Sequence, residues 1–135
     1  MKRLLLVPAV LMLFAAMPVR DGATIENSGS TNVHGWSVKV WSDGTVAGGT
    51  GPVPAELAAR FFSDLRTAKA TPPSPPEGCL KSASFGTATT VAYHGWRSPD
   101  LQCPVPAGIV PLQRDVQAIV RTLQIRLRPR HGQTP

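Results

Sequence analysis

"WSVKVWSDGTVA", residues 36–47, decides the fold. Its first half alternates, so that Trp36, Val38 and Val40 face one side and the residues between them face the other, as in a half-buried strand. Asp43-Gly44 then predicts a two-residue hairpin turn, because glycine tolerates the positive φ that such turns require. The next three residues can return as a second strand, so this segment predicts an antiparallel strand pair.

The segment that follows, from Pro52 to Ala70, predicts an amphipathic helix. Pro52 or Pro54 can occupy its first turn, where a missing N–H costs nothing. Prolines between positions 72 and 76 end the helix and favour a stiff connector, since proline cannot continue a helix. The apolar stripe of the helix consists of Leu57, Phe61, Leu65 and Ala68, widened by Ala58 and Phe62.

The N-terminal segment has the shape of a secretory signal peptide. Lys2 and Arg3 precede an apolar run of about 14 residues, which is short for a membrane-spanning helix. An uncleaved anchor is the alternative. We therefore expect residues 1–23 to be a signal peptide, residues 24–128 to form one small domain, and residues 129–135 to be a disordered basic tail. The protein would then be exported, to the periplasm or to the medium.

Cys79 and Cys103 are the only cysteines of the chain. In an exported protein such a pair is more naturally a structural disulfide than a metal or redox site. Their separation is also unlike the C-x-x-C spacing of thiol oxidoreductases. Closing a loop of this size should stabilise the fold by about 3–4 kcal/mol on the chain-entropy estimate.

Two segments rich in strand formers, 79–85 and 87–93, lie between the cysteines. They could form one long strand or a hairpin that turns near Gly86. A straight strand over residues 79–94 would span about 50 Å, whereas the chain from 94 to 103 can return only about 30 Å. A disulfide needs Cα atoms about 5.5 Å apart. The sequence therefore predicts the hairpin.

A second amphipathic helix is predicted after Pro111, and residues 24–27 can add a short strand at the sheet edge. The fold class is therefore α+β, an antiparallel sheet of about four strands in the order ββα–ββα, with two helices on one face and one disulfide. The stripe of the second helix consists of Leu112, Val116, Ile119, Val120, Leu123 and Leu127.

Motifs that would carry catalysis, nucleotide binding or metal binding do not stand out. The glycine-rich stretch 44–51 lacks the lysine and adjoining hydroxyl residue that end a phosphate-binding loop motif, and neither G-x-S-x-G nor H-E-x-x-H occurs. The three histidines show no metal-ligand spacing. Asp100 is explained by a type I turn over residues 98–101. We therefore assign no catalytic residue, no metal and no cofactor.

The triplet His-Gly-Trp occurs twice, at 34–36 and 94–96. A shift of 60 positions aligns almost nothing else, so we interpret the triplets as two strand ends and not as a duplicated site. If the first and last strands are antiparallel, His34, Trp36, His94 and Trp96 would cluster at one sheet edge. Both tryptophans are then either partly buried anchors or an exposed aromatic patch that binds a protein or glycan partner.

The charge of the chain is only weak evidence about its binding partners. Without Lys2 and Arg3 the chain has 12 basic and 8 acidic residues, a net charge of +4, which gives little support to nucleic-acid binding. The basic C-terminal end suits a helix terminus, and its alternative role is weak contact with lipid phosphates. Membrane contact is expected only through the signal segment or weakly through Arg126, Arg128 and Arg130.

Two segments of the chain resemble an uncharacterised family of small exported bacterial proteins. They are CLKSASFGTATTVAYHGWRSPDLQCP (79–104) and ENSGSTNVHGWSVKVWSDGTV (26–46). The family's features are an N-x-G-S-T-N start, a D-G hairpin, and C-x-K-S-x-S-F-G-T leading to S-P-D-L-x-C-P. The resemblance covers residues 25–104 and most of the following helix. It implies that Cys79 and Cys103 are a recurring pair, and it transfers no activity and no site residue.

The function predicted from these observations is an exported, non-catalytic binding or interaction module. An inhibitor-like role is one form of it, by analogy of size, disulfide and architecture alone. The alternative is a small cell-envelope hydrolase that uses His34 or His94. A cleft that holds either histidine beside Ser82, Ser84 or an acid would favour the enzyme.

Overall fold

The computed structural model describes residues 20–75, 78–82 and 84–130, so the predicted signal segment lies almost entirely outside the described residues. Five strands form one antiparallel sheet in the order β4-β3-β1-β5-β6, and β2 pairs separately with β7. This confirms the α+β class, with more strands than predicted. The strands are β1 (Gly22–Asn27), β2 (Val33–His34), β3 (Trp36–Trp41), β4 (Val46–Ala47), β5 (Thr89–Tyr93), β6 (Trp96–Arg97) and β7 (Arg128–Pro129), and the helices are α1 (Ala55–Ala70) and α2 (Val110–Thr122).

The β3–β4 hairpin is present as predicted. Val40 pairs with Val46, and Gly44 in the connection has a φ of +85°. Val38 and Val40 are buried, while Ser37 and Lys39, which alternate with them, face solvent. The alternation in the sequence therefore sets which face of the sheet meets the core.

β1 is the central strand of the sheet, so its predicted edge position is wrong. Its register pairs Gly22 with Trp41 and Asn27 with Trp36 on one side, and Asn27 with Thr89 on the other. Ala23 and Ile25 are buried in the core. A strand this short carries only a weak periodic signal in the sequence, because its central place depends on partners from two distant segments. The strand starts at Gly22, two residues before the predicted domain start.

The predicted hairpin at Gly86 is also wrong. The chain does reverse there, with the Gly86 amide donating to the Ser82 carbonyl at 2.7 Å, but the described residues from 78 to 88 form no strand. The actual hairpin joins β5 to β6 through His94 and Gly95, whose φ values are +44° and +73°. Leu80 and Phe85 are exposed, so strand-forming composition here has no core face against which to pack.

α1 matches its prediction, and every residue of its predicted apolar stripe is buried. Pro54 is the residue that precedes its first turn. The rings of Phe61 and Phe62 lie nearly perpendicular with centroids 5.2 Å apart, a favourable edge-to-face geometry. Both helices pack on the same buried sheet face, around a core that includes Ile25, Val38, Val40, Val91, Phe61, Leu65, Leu112 and Ile119.

α2 is shorter than its predicted stripe. It ends at Thr122, and Gln124 has a φ of +52°, which redirects the chain. Leu123 is buried, but Leu127 lies beyond the helix and is 48 % exposed. The residues after the helix run back along the sheet end, where Arg128 pairs with His34 and the Arg130 amide donates to the Asn32 carbonyl at 2.9 Å. Residues 129 and 130 of the predicted tail are thus paired in the fold.

A 3₁₀ turn at Ala107–Ile109 leads into α2. The turn expected at residues 98–101 lies two residues later, with the Cys103 amide donating to the Asp100 carbonyl at 3.2 Å. Asp100 therefore takes the first turn position, where its carboxylate can accept local amides. In the described part of the chain, no helix has the length and apolar composition that crossing a bilayer requires.

Candidate functional site

The four residues predicted to cluster lie at two different ends of the sheet. β3 and β5 are both antiparallel to β1, so they are parallel to each other. Trp36 starts β3 beside Asn27, whereas Trp96 pairs with Tyr93 near the opposite end of β1. Four residues of strand, about 13 Å, separate these levels. The predicted cluster is therefore wrong, because its premise of antiparallel first and last strands does not hold.

The two His-Gly-Trp triplets have different structural roles. In the first, a Cβ on Gly35 would lie 2.4 Å from the Asn27 carbonyl oxygen, so close backbone approach requires glycine there. In the second, His94 and Gly95 form the tight turn before β6. Trp36 and Trp96 are both partly buried against the core, and both histidines are exposed. The triplets therefore lie at strand ends, as interpreted from the sequence.

His94 lies beside an acid, which is the arrangement that the hydrolase hypothesis asks for. Its Nε2 is 2.7 Å from Asp21 Oδ1, and the Tyr93 hydroxyl donates to Asp21 Oδ2 at 2.7 Å. No serine or threonine hydroxyl hydrogen-bonds either histidine ring within the described residues. Ser84 lies at the other end of β5, where its carbonyl accepts from Asn32. Among the described residues, the hydrogen bonds of Asp21 and His94 thus include no serine or threonine hydroxyl, the usual nucleophile of a triad.

Asp21 stabilises the fold in a pH-dependent way. Burial raises the pKa of Asp21, but hydrogen bonds from Tyr93 and His94 and the charge of Arg66 outweigh it, so the pKa is lowered overall. A carboxylate whose pKa is lowered by folding stabilises the protein at pH values above its pKa in the unfolded chain. This stabilisation is lost as the pH falls through its pKa in the folded protein.

We expect Asp21→Asn to cost about 1 kcal/mol at pH 7 and almost nothing at pH 2. Urea denaturation at both pH values measures this; an equal cost at both would contradict it.

A concavity with mostly apolar walls lies at the Trp36 end of the sheet. This cleft, of about 330 Å³, lies between the sheet end, α2 and the segment that follows α2. Its size falls in the range of small-molecule sites. Its apolar walls come from Trp36, Leu101, Val116, Val120, Ile125 and Leu127, and its polar lining from Asn27, Thr89, Gln102, Gln113, Gln117 and Arg121.

Asn27 organises the polar floor of the cleft. Its amide nitrogen donates to the hydroxyls of Thr87 and Thr89, each at 3.0 Å, and its carbonyl oxygen accepts from the Gly29 amide at 2.9 Å. The Gln102 amide also donates to the Thr89 hydroxyl at 3.0 Å. Asn27 is only 5 % exposed, so these bonds are needed to offset its desolvation. The floor is therefore rigid and already hydrogen-bonded.

The disulfide-bearing loop forms one wall of the cleft. Cys79 and Cys103 are bonded, with Cα atoms 5.4 Å apart, which confirms the predicted disulfide. Asp100 fixes the loop, since its Oδ1 accepts from the amides of Thr89 and Gln102 at 3.0 Å and its Oδ2 pairs with Lys81. Burial raises the pKa of Asp100, but Lys81 and the backbone amides lower it overall. Leu101 and Gln102 are thereby held in the cleft wall.

α2 is tied to the same loop. The Gln113 side-chain amide donates to the carbonyls of Leu101 at 2.7 Å and Cys103 at 3.0 Å. Gln113 also lines the cleft. The wall formed by the loop and the wall formed by the helix are therefore coupled by hydrogen bonds that depend on the position of the disulfide.

A wider groove of about 920 Å³ adjoins the cleft and shares Trp36, Ile125 and Leu127 with it. The Thr50 hydroxyl donates to the Leu123 carbonyl at 2.8 Å and closes its far side. Basic side chains line both concavities: Arg121 in the cleft, and Arg126, Arg128 and His34 in the groove. No acidic residue lines either of them within the described part.

An ion pair between an exposed arginine and a buried aspartate joins the helices outside the cleft. Arg60 Nε on α1 lies 2.7 Å from Oδ1 of Asp115 on α2, while Asp115 Oδ2 has no hydrogen-bond donor in the described structure. Burial raises the pKa of Asp115; Arg60 opposes the rise, and Asp64 adds to it. A carboxyl group whose pKa is raised by folding destabilises the folded protein once the pH exceeds the pKa of that group in the unfolded chain.

Replacing Asp64 by asparagine should therefore stabilise the protein at neutral pH. The amide removes a like charge and supplies a donor near Asp115, so we expect a gain of up to about 1 kcal/mol at pH 7 and none at pH 3. Chemical denaturation at both pH values gives the comparison, with Glu56→Gln on the exposed side of α1 as the control. Lower stability of Asp64→Asn at pH 7 would refute this interpretation.

Three potential metal donors also lie close together. Donor atoms of Cys79, Asp100 and Cys103 fall within 4.8 Å of one another. Both sulfurs are consumed by the disulfide and offer no thiolate, and Lys81 is paired with Asp100. The closeness of these three donor atoms is therefore explained by the Cys79–Cys103 disulfide and the neighbouring Lys81–Asp100 ion pair.

Sequence reasoning missed most of the cleft. It singled out Trp36 but placed it with the wrong partners, and it did not single out Asn27, Gln102 or Gln113. A usable signal existed for Asn27, because Asn-Ser-Gly favours a turn in which the asparagine side chain accepts a local amide. The chain shows no significant match to any family model, curated protein or solved structure.

Proposed function

We propose that the protein is an exported, non-catalytic binding module that takes an apolar ligand in the cleft beside Trp36. The disulfide indicates an oxidising environment outside the cytoplasm. The basic and apolar start of the chain supports export. The observation that carries the binding role is a cleft with apolar walls over a polar floor whose groups already bond one another.

The exposed apolar surface of the cleft is what a ligand would cover. Leu127 is 48 % exposed although it lies beside Trp36 and Ile125 in the lining. Covering such surface is favourable at about 25 cal/mol per Å². Because the polar floor needs no further partner, a ligand gains this contribution without first breaking buried hydrogen bonds.

Titration with N-phenyl-1-naphthylamine, a neutral apolar fluorophore, tests this function. Gln117 is an exposed residue of α2 that lines the cleft, so Gln117→Trp should fill the cleft without disturbing the core. We expect saturable binding to the wild type and at least a tenfold weaker affinity for Gln117→Trp, roughly 1.4 kcal/mol. The control is Thr122→Trp at the exposed end of α2. Equal binding by both variants, or no binding to the wild type, would remove the cleft as the site.

An inhibitor-like role is the second candidate, and Leu80 favours it. Its side chain is fully exposed, at 100 %, and directly follows the disulfide-bonded Cys79. The next residue, Lys81, donates to the Thr87 carbonyl and pairs with Asp100. A large, exposed apolar side chain next to a disulfide that restrains its loop is suited to insertion into the specificity pocket of a peptidase.

Peptidase inhibition separates this role from cleft binding. If Leu80 is the anchor, the wild type inhibits a chymotrypsin-type peptidase, Leu80→Asp loses inhibition, and Phe85→Asp on the same loop keeps it. Phe85 is a suitable control because its side chain is also exposed, at 62 %. Lack of inhibition by the wild type would exclude a chymotrypsin-type target, and equal inhibition by both variants would exclude Leu80 as the anchor.

A further inference from the structure

We propose that the ligand of the cleft is an anionic lipid with a single acyl chain. The chain would occupy the cleft beside Trp36, and the anionic head would contact Arg121, Arg126 and Arg128. This inference rests on the proposed binding function and specifies its ligand. It follows from the charge distribution around the cleft and from the way that the two concavities join.

The arginines of this end have no carboxylate partners. None of Arg121, Arg126 and Arg128 lies within 4.0 Å of a carboxylate oxygen of the described residues. Elsewhere the described acids are largely neutralised: Glu26 pairs with Arg97, and Asp100 with Lys81. Further pairs hold Asp21, Asp43 and Asp115. Positive charge is therefore left unpaired along the cleft and the groove, as it also is at the separate positions Lys39, Lys69 and Arg114.

The position of these arginines matches an amphiphile in two ways. Arg121 lines the cleft itself and directly follows Val120, a residue of its apolar wall, in α2. Arg126 and Arg128 flank Leu127, which belongs to both concavities. A molecule with its apolar part against Trp36 and Leu127 would thus hold its polar end near guanidinium groups.

The head group is expected to be a phosphate. Guanidinium groups bind phosphate by paired, charge-assisted hydrogen bonds, which favours several arginines over lysines at such a site. Attraction between exposed charges is screened by salt, so anionic preference should fall as ionic strength rises. An apolar peptide or a neutral glycan would gain nothing from this charge.

Displacement of N-phenyl-1-naphthylamine tests the proposal with two lipids of the same chain length, lysophosphatidylglycerol and lysophosphatidylcholine, each below its micellar concentration. The first carries a net negative charge and the second is zwitterionic. We expect lysophosphatidylglycerol to displace the fluorophore at a concentration at least tenfold lower at 20 mM salt, and the difference to shrink at 500 mM salt.

The double variant Arg126→Gln/Arg128→Gln changes residues that line the groove but not the cleft, so it should abolish this preference and leave fluorophore binding in the cleft unchanged. Arg114→Gln, the same change on the exposed surface of α2 outside the cleft lining, is the control and should keep the preference. Equal displacement by both lipids would overturn the anionic ligand while keeping an apolar site. Failure of the fluorophore itself to bind the wild type would overturn the binding function and this proposal together.

Discussion

Replacing both cysteines by serine, at positions 79 and 103, should lower the free energy of unfolding by about 3–4 kcal/mol. The bridge closes a 24-residue separation, and without it the unfolded chain regains the freedom of that loop. This is a large share of the 5–15 kcal/mol that stabilises a domain. The loop would also be released from the cleft wall that Leu101 and Gln102 form.

Urea denaturation of the oxidised wild type and the double serine variant measures the loss. Reducing agent should destabilise the wild type to a similar extent and leave the variant unchanged, which separates the bridge from the side-chain substitution. Fluorophore affinity should fall together with stability, because Cys103 and Leu101 share a hydrogen-bonding partner in Gln113. A loss under 1 kcal/mol would show that the bridge contributes little to the fold.

Phe61→Ala should cost about 3–5 kcal/mol. The ring is fully buried and packs edge-to-face on Phe62, which in turn contacts Tyr93 in the sheet. Removing it opens a cavity between α1 and the sheet that neighbouring side chains cannot fill without leaving their rotamers. Thermal and chemical denaturation give the magnitude.

Phe85→Ala is the matched control for this prediction. It deletes the same ring from a side chain that is 62 % exposed, so the expected change is within about 0.5 kcal/mol. A similar loss for both variants would contradict the packing of Phe61 between α1 and the sheet.

Local sequence signals predicted the elements that depend on neighbouring residues. The β3–β4 hairpin follows from alternation and Asp43-Gly44, and α1 from the spacing of Leu57, Phe61 and Leu65. In both elements, the spacing of the apolar residues and the residue type at the turn or helix start predict the same structure. The disulfide could also be predicted, because the N-terminal segment predicts export and two cysteines have a single way to pair.

Elements that depend on distant partners could not be placed in this way. β1 is central only because β3 and β5 flank it, and neither neighbour leaves a trace in the residues 22–27. His94-Gly95 was overlooked as a turn because a non-glycine residue with positive φ is uncommon. Strand composition at 79–85 was misleading because packing, not propensity, decides whether a strand forms.

The cleft illustrates the same limit. Its floor comes from β1 and β5, one wall from the disulfide loop, another from α2, and its rim from the segment after α2. The sequence predicted Trp36 as a site residue and the C-terminal arginines as a possible lipid contact, but not that the two lie together. Their proximity follows from α2 ending at Thr122, which the apolar stripe extended to Leu127 had obscured.

Chemical-shift mapping with lysophosphatidylglycerol below its micellar concentration tests the cleft most directly. Binding there should shift the Trp36 indole and the methyl groups of Val120, Ile125 and Leu127, in a saturable manner. The signals of Trp96 and His94, at the other end of the sheet, should stay unchanged. Shifts centred on Trp96, or no saturable shift at Trp36, would contradict a ligand site in the cleft.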